Sequence, residues 1–232
     1  MSVYLPITPV NITMKPILLS AVLLVAVAQA QSPDALKFGI QMQGVNAGTA
    51  EMTVIDLPNK NRQVVMTMDL KGPAGNARIR QETIYDGDGM ATRKITETVL
   101  NKSERTLFTA ELNKKEARLT IKRGKQTETK VIPVSPDAPL KNPSTYWFDR
   151  TTPKVGEKVV YYAFEINEQA WRLQSVTYMG AETKAVNGKP VKFHRLKVER
   201  GAAGTVLTDE KGLPLKMDFG DMVIARDGYA KL

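Results

Sequence analysis

The chain is 232 residues long, carries a formal net charge of +9 at neutral pH and contains no cysteine. The missing cysteine excludes disulfides, thiolate metal sites and a cysteine nucleophile. The basic balance suits nucleic acid inside a cell, but the N-terminus points to export, where anionic lipid, lipopolysaccharide or wall polymer is the natural counter-charge.

Lys15 precedes the uncharged run Ile17–Val27, and Ala28-Gln29-Ala30 follows with small residues where a signal peptidase reads. That order is a secretory signal peptide over residues 1–30, and the run is short for a membrane span. Met1–Thr13 is uncharged and holds Pro6 and Pro9, so Met14 is the expected true start. No other segment is apolar enough to cross a membrane, and no cysteine follows the run to carry a lipid anchor. The expected product is residues 31–232, free in the periplasm or outside the cell, not membrane-spanning once processed and without a nucleic-acid partner. It must be held together by its core alone.

Period-two alternation dominates this stretch. Val64, Met66, Met68 and Leu70 face one way, and Gln63, Thr67, Asp69 and Lys71 the other. Asp86-Gly87-Asp88-Gly89 separates Ile79–Tyr85 from the Thr-rich run after Met90. Ala117, Leu119 and Ile121 alternate with Arg118, Thr120 and Lys122, and Arg123-Gly124-Lys125 turns the chain into Thr127–Val134. Such one-sided strands belong to antiparallel sheets. From Ser135 to Pro153 the pattern breaks: Pro136, Pro139, Pro143 and Pro153 surround Tyr146-Trp147-Phe148. Proline removes a ladder donor, so the expected element is a crossing segment whose aromatics pack into the core or close a barrel end, with a short helical turn at Pro143–Phe148. Val159–Phe164 is apolar on both faces and reads as a central strand. Asn187-Gly188 marks a hairpin. The apolar phase changes between Val191/Phe193 and Leu196/Val198, which predicts a β-bulge at His194-Arg195. Asp209–Gly212 then joins Thr205–Thr208 to Leu213–Phe219.

These elements give an all-β domain: an antiparallel meander of ten to twelve strands, curled into a barrel or half-barrel. The alternative is two stacked β subdomains, about 36–134 and 154–228, joined at Ser135–Pro153.

Reactive constellations are scarce. His194 is the only histidine, lies within a strand pattern and has no Gly-x-Ser-x-Gly elbow to serve. Asp86-Gly87-Asp88-Gly89 lacks the later acids of a calcium loop and is explained by turn chemistry. Met42, Met52, Met66, Met68 and Met90 raise copper(I), but Met66 and Met68 sit on an apolar strand face, where methionine fills a core. No carboxylate pair stands out for glycoside hydrolysis. The expectation is therefore a non-enzymatic protein with no catalytic residue, no metal site and no cofactor.

Basic residues are better placed. Lys122, Arg123 and Lys125 share one hairpin tip, and Arg195 lies among Lys192, Lys197 and Arg200. Lys122, Arg123, Lys125 and Arg195 are expected to contact an anionic group. The competing reading is a solvated edge that discourages aggregation.

Several segments together carry a resemblance: Gly44-Val45-Asn46-Ala47-Gly48 with Thr49–Ile55, Tyr146-Trp147-Phe148, Pro153–Glu157 leading into Val159–Phe164, Val186–Lys189, and Thr208–Lys216. The chain is similar to a family of exported bacterial β-sheet proteins known as a domain of unknown function. It distantly resembles the half-barrels of periplasmic lipoprotein carriers and their outer-membrane receptors. That resemblance implies a sheet curled around an apolar interior that holds a lipid or acyl chain. Trp147, Phe148, Tyr162 and Trp171 are the expected apolar lining for a lipid-like or amphipathic anionic ligand, with ordinary core burial as the competing reading. The alternative functions are an envelope structural or protein-interaction module using an exposed face or edge strand, and an enzyme of unknown type.

Overall fold

Alternating side chains give each run one face for water and one for a core, and hairpin turns let neighbouring runs share that core. The computed structural model describes residues 35–72, 75–200 and 202–232; the expected signal peptide at residues 1–30 lies outside them. The described strands are β1 (Leu36–Met42), β2 (Val45–Asp56), β3 (Arg62–Gly72), β4 (Gly75–Tyr85), β5 (Ala91–Leu100), β6 (Glu104–Leu112), β7 (Glu116–Arg123) and β8 (Gln126–Pro133). A crossing segment with a 3-10 turn (Pro143–Tyr146) and one turn of helix, α1 (Trp147–Arg150), leads to β9 (Lys158–Glu165) and β10 (Ala170–Val186). The chain finishes with β11 (Lys189–Arg200), β12 (Ala202–Thr208), β13 (Pro214–Asp218) and β14 (Met222–Arg226).

All fourteen strands form one antiparallel sheet, in the order β8-β7-β6-β5-β4-β3-β2-β1-β14-β13-β12-β11-β10-β9. The β1–β14 ladder joins the two meander arms, so the halves on either side of the crossing segment share a sheet instead of stacking as subdomains. The count exceeds the expected ten to twelve, because runs such as Glu104–Leu112 and Met222–Arg226 lie outside the alternating segments singled out in the sequence.

The sheet is open in its hydrogen bonding, and side chains close it. One face is concave: Phe38, Met52, Met66, Val176, Val198 and Ile224 are buried there in one cluster, together with Trp147. At β9 the two faces part company. Ala163 packs against that interior, while Phe164, its neighbour, is fully buried in a second cluster with Ala110, Leu119 and Ile121 of β6 and β7. Those three residues lie on the concave face of their own arm. The β9–β10 margin is therefore tucked inside the β6–β8 margin, and the sheet overlaps itself like a scroll. Trp171 donates from Nε1 to Ile132 O at 3.2 Å, Lys130 Nζ donates to Gln169 Oε1 at 2.8 Å, and Lys94 Nζ donates to Phe164 O at 2.7 Å. Phe164 and Trp171 meet edge to face at 5.4 Å.

This overlap corrects the placement of Val159–Phe164. It reads as a central strand because Phe164 and Ala163 are covered on opposite faces, yet β9 is an edge of the hydrogen-bonded order. The expected bulge at His194-Arg195 is also absent. β11 pairs β12 in unbroken register, and the register shift lies across from it, between Tyr178 and Gly180 of β10. The apolar phase changes because Phe193 packs on the outer face with Leu207 and Leu215, under Tyr229 and Leu232. The bulge that does matter leaves Ala47 unpaired between Gln41–Asn46 and Ile40–Gly48. Gly48 has φ +147°, and a Cβ there would lie 2.0 Å from Asp69 O.

Phe164→Ala should open the overlap. We expect a loss of about 3–5 kcal/mol in chemical denaturation, the range for emptying a filled aromatic site, with a red shift of fluorescence from the now wetter Trp171.

Candidate functional site

Strand parity puts several turns at one end of the scroll. The β2–β3 turn, the β4–β5 turn and the β12–β13 turn lie on one rim, and the crossing segment leaves β8 and enters β9 at that same rim. It therefore spans the mouth. Gly89 makes room for it: Asn142 donates its N–H to Gly89 O at 3.2 Å, and a Cβ on Gly89 would sit 2.3 Å from Asn142 O.

The segment is locked by charge. Arg62, at the start of β3 and only 3% exposed, donates from Nε to Asp56 Oδ1 and from Nη2 to Asp149 Oδ2, both at 2.7 Å, and from Nη1 to Thr145 O at 3.3 Å. Burial works against the Arg62 charge, but the two carboxylates more than offset it and hold its pKa above the ordinary value. The Tyr146 ring lies between two guanidinium groups, Arg62 at 4.8 Å and Arg150 at 4.5 Å. Its hydroxyl donates towards Lys60 O and Asp86 O, at 3.0 and 2.8 Å. Arg150 reaches Gly87 O.

Around this lock is an open concavity of about 540 Å³, lined among others by Lys60, Arg62, Phe148, Asp149, Arg150 and Lys211. Asp56 and Asp149 are engaged by Arg62. Lys60 and Lys211 are exposed and enter no ion pair among the described residues. The lining thus combines a cationic rim with an aromatic wall. Behind Phe148 sits His194, its ring 4.6 Å away and its Nδ1 2.8 Å from the Tyr178 hydroxyl. Burial, and then Lys192, push the His194 pKa down.

A second, narrower space lies at the overlap. It measures about 50 Å³, with Thr83, Lys94, Tyr161, Glu165, Gln174 and Arg200 among its lining. That is room for a few waters, not for an acyl chain. Gln174 bridges Glu165 and the Tyr161 hydroxyl. Desolvation lowers the Lys94 pKa, against the pull of Glu165, and burial drives the Tyr85 phenol far up. Among the described residues no group of three or more His, Asp or Glu side chains could hold a metal ion.

The expected site residues are dispersed. Trp147 is core, 4% exposed. Phe148 lines the mouth concavity. Tyr162 and Trp171 lie at the overlap beside the small second space. Lys122, Arg123 and Lys125 form the β7–β8 turn on the opposite rim, exposed to solvent, and Arg195 is held by both Glu182 carboxylate oxygens, at 2.8 and 3.1 Å. The structure does not bring these cations together with the aromatics. Lys60, Arg150 and Lys211 were not singled out by sequence reasoning. Their signal was turn position, readable only once the strand count fixes which turns share a rim.

A family model described as a protein of unknown function, DUF3108, matches residues 36–221. The chain belongs to the DUF3108 family. A search of curated proteins found no match. Among solved structures, the chain is similar to a beta-barrel-like protein of another domain of unknown function, DUF1849, from Brucella abortus. The two share 10% identity and a TM-score of 0.56 over 88% of this chain and 96% of that one. At that identity the likeness is one of fold, and it agrees with a curled, barrel-like antiparallel sheet in this DUF3108 member.

Two outcomes follow from the lock and the histidine. Arg62→Met should cost about 3 kcal/mol, the low end for stranding buried charge partners, since Asp56 and Asp149 are partly exposed; urea titration measures it. His194, the only histidine, should titrate below its ordinary value of about 6.5 in proton NMR. The unfolded chain then binds the proton first as the pH falls. Stability should therefore drop as the pH goes below about 6.5 and level off once the folded imidazole is protonated. His194→Gln should remove that slope.

Proposed function

We propose that this DUF3108 protein is an exported, non-catalytic binding module that takes an amphipathic anion at the mouth of its scroll. The observation that carries the reading is the concavity of about 540 Å³ at that rim, where Lys60, Arg150 and Lys211 stand around Phe148. Two unpaired ammonium groups beside a half-buried aromatic ring favour a ligand with one charged end and one apolar end. The negative charges nearby are already engaged by Arg62, so they repel an incoming anion less.

Several features support a binding rather than a catalytic reading. The mouth is open and shallow, and its ordered polar groups hold the crossing segment in place. Lys94, half-buried, and Glu165, buried, line a space of only about 50 Å³. The scroll's own interior is filled by Met66, Phe38 and their neighbours, which favours the mouth over the lumen as the seat of an apolar tail. A basic chain with a leader-like N-terminus fits an envelope setting, where such anions are abundant.

Decyl phosphate is a suitable probe, with decyl maltoside and inorganic phosphate as half-ligand controls. In isothermal titration we expect decyl phosphate to bind and both controls to bind at least ~10-fold more weakly. Lys60→Ala and Lys211→Ala should each weaken it about tenfold, the size of one charge-assisted contact. Equal binding by the Lys60→Ala/Lys211→Ala double variant would remove the mouth as the site.

A further inference from the structure

The two edges of the scroll are not treated alike. β9 is engaged over its C-terminal half: Tyr162 N–H donates to Pro139 O in the crossing segment, and Lys94 donates to Phe164 O. β8 is bare over most of its length, with Gln126, Thr127, Glu128 and Thr129 all exposed, and Val131 54% exposed. Val134 N–H donates to Lys115 O, and Arg123 pairs with Gln126 across the two-residue turn. Antiparallel ladders alternate. Gln126, Glu128, Lys130 and Ile132 therefore bond to β7, and Thr127, Thr129 and Val131 turn their N–H and C=O groups to the open side. Among the described residues no backbone hydrogen bond from another segment reaches those three.

We infer that the β8 edge is a self-association surface, and that a second copy of this chain adds to it antiparallel, with the two-fold axis at Thr129. The register follows from chemistry. Only Thr127, Thr129 and Val131 can bond across the edge, so three central alignments are open. Thr127 opposite Thr129 sets Glu128 against the partner copy's own Glu128. Thr129 opposite Val131 sets Lys130 against Lys130. Thr129 opposite Thr129 sets Glu128 against Lys130, twice, in the non-hydrogen-bonded positions where side chains approach most closely. Like charges directly opposite are destabilising and unlike ones stabilising, so the third alignment is selected. Glu128 and Lys130 already lie 3.0 Å apart within one strand, on the face this pairing needs. Val131 then lies across from Thr127, covering an exposed apolar side chain. Pro133 and the Trp171 contact to Ile132 O end the pairing near Ile132, so the surface is short and the dimer weak.

The chain has no cysteine, so single-cysteine variants report register directly. Under mild oxidation Thr129→Cys should form a disulfide-linked dimer, because paired residues sit about 5.5 Å apart between Cα atoms, within disulfide reach. Thr127→Cys alone should cross-link at least ~10-fold less, its copies being four residues out of step, roughly 13 Å. Mixing Thr127→Cys with Val131→Cys should restore cross-linking. In the Thr129→Cys background, Glu128→Lys should cut the yield at least ~10-fold and the added Lys130→Glu should restore it. Thr129→Pro, which removes an outward N–H and no β7 bond, should keep the circular dichroism of the fold and sediment as a monomer. Equal cross-linking of Thr127→Cys and Thr129→Cys would overturn the inference, as would a charge swap that fails to restore the yield.

Discussion

An antiparallel sheet that does not close its hydrogen-bond ladder has two raw edges, and the way this chain disposes of them shapes everything else. A barrel of the same strands would join β8 to β9 by backbone hydrogen bonds. Here the β9–β10 margin slides under the β6–β8 margin, and Phe164 buries itself against Ala110, Leu119 and Ile121. Non-directional burial replaces directional pairing. The overlap consumes concave surface that would otherwise face a lumen, which is why the space at the seam is small. At the mouth a concavity of about 540 Å³ survives, because the crossing segment spans that rim without filling it.

The parts of this arrangement that were legible in the sequence are the local ones. Alternation in Arg62–Lys71 and Ala117–Lys122 wrote the buried faces of β3 and β7 directly. The prolines around Tyr146-Trp147-Phe148 marked the crossing segment, and its short helical turn appears at Pro143–Arg150. The failures share one cause. Period-two patterns report which residues are covered, not what covers them. Val159–Phe164 looked central because it is apolar on both faces; Ala163 and Phe164 are covered on opposite faces while Val160 is exposed, and no local pattern distinguishes a neighbouring strand from the sheet's own far margin. Phe193 looked out of phase because its cover is the outer-face cluster with Tyr229 and Leu232.

The candidate site was less legible than the fold, for a related reason. Clusters of basic residues in sequence were natural suspects, yet Arg195 and Lys197 are committed to Glu182 and Glu199. Glu199, held by Lys197, Ser175 and Lys158, has its pKa lowered to about 2; such exposed networks balance surface charge and add little stability. The cations that remain unpaired at the mouth, Lys60 and Lys211, are 151 positions apart in sequence. Strand parity alone brings their turns to one rim. A single extra or missing strand between them would send one to the opposite end, so the site depends on the whole meander and is invisible to any window along the chain.

The unequal protection of the two edges has a further consequence. A sheet with both edges bare can add copies at each end and grow without limit, the hazard that edge strands pose in general. With β9 engaged at Tyr162 and Phe164 by Pro139 and Lys94, pairing through the other edge is isologous: β8 meets β8, and the two-fold closes the assembly. Glu128 and Lys130 fit that geometry in a way a strand of uniform charge would not. Two lysines at those positions would repel in every register, whereas the alternating pair rejects two registers and accepts one. The charges that guard this edge against indiscriminate pairing are therefore the same ones that admit a single partner in a single alignment.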